Sequence, residues 1–265
     1  MTAAPGPHGA AGAAGAVEAV RLLAACEPLL LALDFDGVCA PLVDDPTQSR
    51  MLPGTRTALE ALAAAGCQIA LVSGRALASL RAAADPAPGW LLVGGHGAEV
   101  GDGDGSAPLL TEDELQLLGT VTAEVDAVVQ AHPGTTSEHK PTGVVLHTRL
   151  AEEARSRAAV EAVTSGPGAR PGVHQRTGHD VVELMVVVAD KGSAVQALQA
   201  RTDATSVLYV GDDVTDEDAF RALDPLAGDV GVKVGPGDTA AGYRVAAEAD
   251  VTRLLEELLA ARLQP

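Results

Sequence analysis

Short aliphatic runs alternate with amphipathic stretches along most of the 265 residues, and this alternation restricts the fold more than any other feature. The runs Leu29 to Leu33, Gln68 to Val72, Trp90 to Val93, Val207 to Val210 and Gly231 to Val234 are strand-length and mostly apolar. Such runs read as strands buried on both faces, the signature of a parallel sheet covered by helices. Between the first two, "GTRTALEALAAAG" predicts a helix that starts near Thr55 and stops at Gly66. "RALASLRAAADP" predicts another, ended by its Asp-Pro pair, and "ADVTRLLEELLAARL" predicts a final helix capped by Asp250. Aromatic residues make up only 2% of the chain, so Ala, Val and Leu must fill the core.

The middle of the chain has a different rhythm. After the turn-rich "DGDGSAP" comes a helix from about Thr111 to Ala131, then strands at "TTSEHK" and "GVVLHTRL" and a helix at "AEEARSRAAVEAV". Glycine-rich "SGPGARPG" leads into strands at "VHQRT" and "DVVELMVV". This α-β-β-α-β-β order suits a smaller α/β layer with an antiparallel sheet, inserted into the parallel one. The expected division is a disordered tail over 1–15, a core domain over 16–104 and 186–265, and an inserted domain over 105–185.

Charge and composition remove several classes of function. A net charge of −18, from 18 basic against 36 acidic residues, argues against a nucleic-acid partner. Cys26, Cys39 and Cys67 are odd in number and lack CxxC spacing, which suggests neither a disulfide framework nor a zinc site. "MTAAPGPHGAAGAAGA" has neither the basic start nor the apolar core of a secretion signal, and no segment has the unbroken apolar length of a membrane span. A soluble, cytoplasmic monomer without membrane contacts is expected.

The chemistry collects at four places, each after a predicted core strand, where ligands bind in open α/β folds. In "LDFDG", Asp34 and Asp36 are two carboxylates that would be costly to bury without a cation or a reaction to use them. One could attack phosphorus and the other protonate the leaving oxygen and later activate water. In "LVSGR", Ser73 and the amides of a helix start suit a phosphate. Lys191, in "ADKGSAV", is a compact charge able to neutralise nucleophile and phosphoryl group. In "VGDDVTDEDAF", Asp212, Asp213 and Asp216 offer the hard oxygen donors that Mg²⁺ prefers. Taken singly, each has a plainer explanation: a turn at Asp-x-Asp-Gly, a solvated Lys191 at a helix start, a capping-box variant of Thr215 and Asp218. Four such signals in this order, each behind a strand, are poorly explained by coincidence.

"DFDGVCAP", "LVSGR", "DKG" and "GDDVTDEDAF" resemble the four motifs of the haloacid dehalogenase superfamily of phosphohydrolases. "GGHGAE" and "YVGDDVTDEDAF" look like its trehalose-6-phosphate phosphatase branch, and the resemblance runs from Leu29 to the last helix. It implies a Rossmann-like core with an inserted α/β cap, and a Mg²⁺-dependent hydrolysis of trehalose 6-phosphate. By position it makes Asp34 the nucleophile and Asp36 the general acid/base, with Ser73 and Lys191 on the phosphate. Magnesium would be held by the Asp34 carboxylate, the Asp36 carbonyl and Asp212, supported by Asp213 and Asp216. Substrate contacts would come from Arg75, His96, Glu138, Lys140, His147, Arg149, Gly178 and Glu183, although His96 and neighbouring Glu99 could equally be structural, and Glu138, Lys140 and Arg149 could lie on a solvated strand face. The family usually carries threonine at Val38 and leucine at Cys39, and a less apolar stretch than "ELMVVVADKG" before the lysine. Those departures leave room for another disaccharide or pseudo-disaccharide phosphate. A catalytically silent sugar-phosphate sensor is the reading from outside enzymology, and the intact Asp34, Asp36, Lys191 and Asp212 speak against it.

Overall fold

The computed structural model describes residues 10–102, 105–107, 110–187 and 189–264. In chain order it runs α1 (Ala13–Leu23), β1 (Leu29–Leu33), α2 (Pro53–Ala64), β2 (Gln68–Val72), α3 (Leu77–Ala84), β3 (Leu91–Gly94), β4 (Glu99–Asp102) and β5 (Gly105–Ala107). There follow α4 (Glu112–Ala131), β6 (Thr136–Lys140), β7 (Gly143–His147), α5 (Glu153–Ser165), β8 (His174–Gly178) and β9 (Val181–Met185). The chain ends with α6 (Lys191–Arg201), β10 (Ser206–Gly211), α7 (Asp216–Ala222), β11 (Val230–Val234), β12 (Tyr243–Val245) and α8 (Glu248–Arg262). Two compact units result, one of residues 1–107 and 190–265, the other of 108–189.

In the first unit eight strands form one sheet in the order β12-β11-β10-β1-β2-β3-β4-β5. The five pairs from β12 to β3 are parallel: β12 to β11, β11 to β10, β10 to β1, β1 to β2 and β2 to β3, while β4 and β5 add an antiparallel edge. Every residue of β1, β10 and β11 is buried, which is why these strands read as continuous apolar runs. The chain leaves β1 toward β2 and β3 on one side, and returns through β10 to β11 and β12 on the other. The order therefore reverses between β1 and β10, and a crevice opens at their carboxyl ends. Leu33 stands opposite both Leu71 and Val210, so the loops after β1, β2 and β10 start at one level.

Three boundaries differ from the sequence-based expectation. The tail predicted over 1–15 gives way to helix α1 at Ala13, because a face of Ala16, Ala19, Val20 and Leu23 is buried in the hydrophobic core. Ahead of it, Ala11 donates its N–H to Gly242 O and accepts from Arg244 N–H, pairing with the edge strand β12; residues 1–9 lie outside the described part. Helix α2 starts at Pro53 rather than Thr55, with proline in the first turn, where its missing N–H costs nothing. Asp250 is not the first cap of α8: it sits inside the helix and its carboxylate accepts from the N–H groups of Ala246 and Ala247, both at 3.2 Å. The short strands β4, β5 and β12 were not anticipated, and β5 brings 105–107 into the core sheet.

The second unit is a four-stranded antiparallel sheet in the order β6-β7-β9-β8. Helices α4 and α5 cover one face, where Val144, Leu146, Val182 and Leu184 pack with Val121, Val125, Ala159 and Val163. The alternation along β9 follows from this one-sided burial: Val182 and Leu184 are buried, while Val181, Glu183 and Met185 on the other face are partly exposed.

Candidate active site

The crevice at the carboxyl end of β1 gathers the carboxylates. Asp34 is the first residue after β1 and its N–H still bonds to Val210 O at 2.9 Å, so the sheet itself fixes its backbone. One carboxylate oxygen, Oδ1, accepts from Phe35 N–H at 2.6 Å, and Oδ2 accepts from Lys191 Nζ at 2.7 Å. The same ammonium donates to Asp216 Oδ1 at 2.7 Å. Lys191 reaches this point because Asp190 caps α6, its carboxylate accepting Ser193 N–H, which places the lysine in the first turn facing inward.

Asp34, Asp212 and Asp216 each bring an oxygen within 4.8 Å of the others. Two of these carboxylates bond the Lys191 ammonium, and the half-buried Asp212 feels the charges of Lys191 and Lys233 without a hydrogen bond to either. Burial, with the charge of Asp216 added, pushes the Asp34 carboxyl up to about 7 against the pull of Lys191, and burial and Asp216 push Asp212 up to about 6. Burial works against the Lys191 charge, but Asp34 and Asp216 outweigh it and hold its pKa above the ordinary value. A cluster so short of positive charge suits a divalent cation.

The backbone fits one too. Gly37 turns the chain at φ +78°, and a Cβ built there would lie 2.1 Å from Asp212 Oδ2. The Asp212 carboxylate therefore lies directly against the loop that carries Asp36, which only glycine permits. Asp216 is a different matter. Its Oδ1 accepts from Lys191 and from the Tyr209 hydroxyl at 2.6 Å, and its Oδ2 accepts from the N–H groups of Asp212 and Asp213 at 3.0 and 2.9 Å. Four donors occupy this fully buried carboxylate, which makes it the organiser of the loop rather than a group open to a ligand. The capping explanation for Thr215 and Asp218 fails, since Thr215 makes no side-chain cap bond at the start of α7.

Asp36 is held apart from this cluster. Arg75 grips it with two bonds, Nε to Oδ2 at 2.5 Å and Nη2 to Oδ1 at 2.7 Å, and Ser49 Oγ donates to Oδ1 at 2.8 Å. Burial alone would raise the Asp36 pKa, but the bonds from Arg75 and Ser49 outweigh it and hold it below the ordinary carboxylate range. Arg75, expected to face substrate, is thus committed to Asp36 and to Pro46 O, with its guanidinium 5.7 Å from the Phe35 ring centre. Ser73 is buried, its N–H bonded to Val93 O and its Oγ accepting from Arg75 N–H at 3.2 Å. His96 packs over Gly74, where a Cβ would lie 2.4 Å from the imidazole, and Glu99 begins β4. Asp213 is exposed at the rim.

The other candidates lie in the second unit, on the sheet face away from its helices. The register sets Glu138 opposite Val145, Val145 opposite Glu183, and Glu183 opposite Arg176, so these side chains share one face. Lys140 Nζ bonds Glu183 Oε1 at 2.7 Å, and His147 Nε2 lies 2.9 Å from Glu138 Oε2. Gly178 closes β8 opposite Val181. Arg149, beyond the end of β7, joins His147, Gly134, Thr136 and Leu150 around a concavity of about 400 Å³. The sequence pattern did not single out Tyr209, Ser49, Lys233 or Arg176, although a tyrosine and a lysine inside aliphatic strands are signals of their own.

The sequence pattern of the family described as trehalose-phosphatase matches residues 32–249. The chain belongs to the trehalose-phosphatase family. The trehalose-phosphate phosphatase of Mycobacterium ulcerans is 35% identical over 201 residues, 72% of this chain and 50% of that one. That of Mycobacterium bovis is 35% identical over 211 residues, 77% and 53% of the two chains. The chain thus spans about half the length of the curated relatives it matches. Among solved structures, the Aspergillus fumigatus trehalose-6-phosphate phosphatase is similar with a TM-score of 0.66 at 23% identity, covering 95% of this chain and 99% of that one. At that identity the likeness speaks for the fold alone, an α/β parallel-sheet core with an inserted smaller α/β domain. Where the trehalose-phosphatase family usually carries threonine and leucine, Val38 and Cys39 are fully buried in the core, and burial beside Asp34 raises the Cys39 thiol well above its ordinary pKa. Among the described residues, no helix is long and apolar enough to cross a membrane.

Proposed function

We propose that the chain is a Mg²⁺-dependent phosphatase that hydrolyses trehalose 6-phosphate to trehalose and inorganic phosphate. The observation that carries this reading is the buried Asp34, oriented by Phe35 N–H and Lys191 at the switch point of the sheet, in a chain of the trehalose-phosphatase family. In this reading Asp34 attacks phosphorus: the new Asp–O–P bond forms as the bond to the sugar oxygen breaks, and a proton from Asp36 goes to that oxygen. Asp36 then takes a proton from water, whose oxygen attacks phosphorus and returns Asp34 as a free carboxylate. For the first half Asp36 must carry a proton, so its ion pair with Arg75 has to open when substrate arrives. Ser73 and Lys191 would hold phosphoryl oxygens, and Lys191 offsets the repulsion between two anions. The carboxylates of Asp34 and Asp212 with the Asp36 carbonyl would hold Mg²⁺, which supplies further neutralisation of the phosphoryl charge. Glu138, Lys140, His147, Arg149, Gly178 and Glu183 are proposed to receive sugar hydroxyls, where a site built on hydrogen bonds discriminates strongly against ligands that lack them.

Phosphate release from trehalose 6-phosphate, sucrose 6-phosphate and glucosylglycerate phosphates tests the reading. The highest kcat/KM is expected for trehalose 6-phosphate, with turnover lost in EDTA and in Asp34→Asn. Full activity in Asp34→Asn would refute the mechanism, preference for another phosphosugar would refute the substrate, and binding without hydrolysis would point to a sensor.

A further inference from the structure

Strand β11 reads Val230-Gly231-Val232-Lys233-Val234, and all five residues are buried. A lysine there loses its hydration, which folds tolerate only when partners accept its protons. Lys233 stands opposite Gly211, the last residue of β10, so its side chain can reach past the strand end to the next loop. Its Nζ donates to the backbone carbonyl of Asp212 in a short contact and to that of Asp213 at 3.3 Å.

The same two residues are gripped from the opposite side, for Asp216 Oδ2 accepts both of their N–H groups. The two-residue loop is therefore held between a carboxylate at its amides and an ammonium at its carbonyls. Neither grip uses the Asp212 carboxylate, which lies free against Gly37. Asp216 is itself fixed by Lys191 and Tyr209, whereas among the described residues Lys233 makes no hydrogen bond to a carboxylate oxygen of this cluster: its bonds go to the backbone, and only its charge acts on the Asp212 carboxylate across space.

We propose that Lys233 is a positioning residue for the cation site: by fixing the carbonyls of Asp212 and Asp213 it sets where Asp212 presents its carboxylate, and so sets divalent-cation affinity. The inference rests on the reading of Asp212 as a metal ligand. Outer partners of this kind change affinity by roughly 10- to 100-fold when removed.

Titration of the full chain with Mn²⁺, followed by calorimetry and by the electron paramagnetic resonance of the free ion, measures this directly. Lys233→Met is expected to bind Mn²⁺ about tenfold more weakly, and Lys233→Arg, which keeps the charge and the donors, to recover most of the loss. In turnover, the Mg²⁺ concentration giving half-maximal rate should rise by the same factor, while the rate at saturating Mg²⁺ and the KM for sugar phosphate stay near the parent values. A lysine that merely supported the fold would lower that saturated rate instead. Should Lys233→Met not fold, Lys233→Gln is expected to show the same loss. Parent-like Mn²⁺ affinity in a folded Lys233→Met or Lys233→Gln overturns the proposal, as does a parent chain that binds no Mn²⁺. A parent chain that binds Mn²⁺ but hydrolyses no sugar phosphate overturns the functional reading alone, and the affinity comparison still decides the role of Lys233.

Discussion

Replacing Lys191 by methionine should destabilise the first unit heavily, and more at high pH than at low. The ammonium bonds Asp34 and Asp216 at 2.7 Å each, and the three side chains are only 2%, 8% and 0% exposed. Removing one partner of a buried ion pair leaves an uncompensated charge and costs about 3 to 5 kcal/mol. Total stabilities are about 5 to 15 kcal/mol, so the loss would be a large share. With a urea slope of about 3 kcal/mol/M, the midpoint should fall by roughly 1 to 1.7 M. Asp34 already has a folded pKa of about 7, above its unfolded value. A carboxyl raised in this way adds stability that is complete below the unfolded pKa and is lost as pH rises through the folded one. Without Lys191 the folded pKa rises further, so the difference between variant and parent should be largest near pH 8 and shrink toward pH 5. Trp90, the single tryptophan, is buried in this unit, and its fluorescence in urea with EDTA present reports the transition. Coincident midpoints at pH 8, or a difference that widens on acidification, would refute the reasoning.

Two further outcomes follow from the same crevice. Gly37→Ala places a methyl group on Asp212 and forces an L-residue to φ +78°, at about 1 to 2 kcal/mol of backbone strain, so Mn²⁺ affinity should drop at least as far as in Lys233→Met; unchanged affinity would remove Asp212 from the cation site. Arg75→Met removes two of the three bonds that hold the Asp36 pKa down against burial and leaves that of Ser49, so the pKa should rise from its depressed position. A ¹³C NMR titration of the Asp36 carboxyl carbon that shows no upward movement would refute that account.

Much of the core was legible because burial on both faces leaves little choice of residue: β1 and β2 fall on the expected residues, since "LLLAL" and "QIALV" contain no competing pattern. Asp34 and Asp212 stood out for a related reason, as carboxylates behind apolar strands require explanation, and both follow core strands; Lys191, by contrast, opens α6 after β9 of the second sheet rather than behind a core strand. Helix α1 was not legible, because its alanines and glycines resemble low-complexity sequence and only packing against the core selects their helical form. Strands of three or four residues, such as β4, β5 and β12, are too short to impose a period. At the site, spacing singled out Asp216 and Arg75 but not the partners that occupy them. Whether a carboxylate is open to a ligand or filled by four protein donors depends on how the loop and strand fold back on it, here the Tyr209 hydroxyl, the N–H groups of Asp212 and Asp213, and Lys191 from another helix. Lys233 was readable in principle, as a charge inside "VGVKV".

The insertion of the second unit has a consequence for the order in which the molecule is made. Asp34 and Lys191 are 157 positions apart, so during synthesis the carboxylate emerges long before its ammonium partner. The intervening antiparallel sheet pairs strands that are near neighbours in sequence, with short turns between β6 and β7 and between β8 and β9, and such local pairings form early. Once formed, they shorten the effective loop that the core must close, a loop whose entropy grows only slowly with length in any case. Strand β1, meanwhile, waits with one edge unpaired until β10 leaves the ribosome, exposing five consecutive apolar residues that end in a buried acid. The step most open to aggregation is therefore the one that also closes the cluster of Asp34, Lys191 and Asp216, so a chain that pairs β1 with β10 gains its central strand pair and that cluster together.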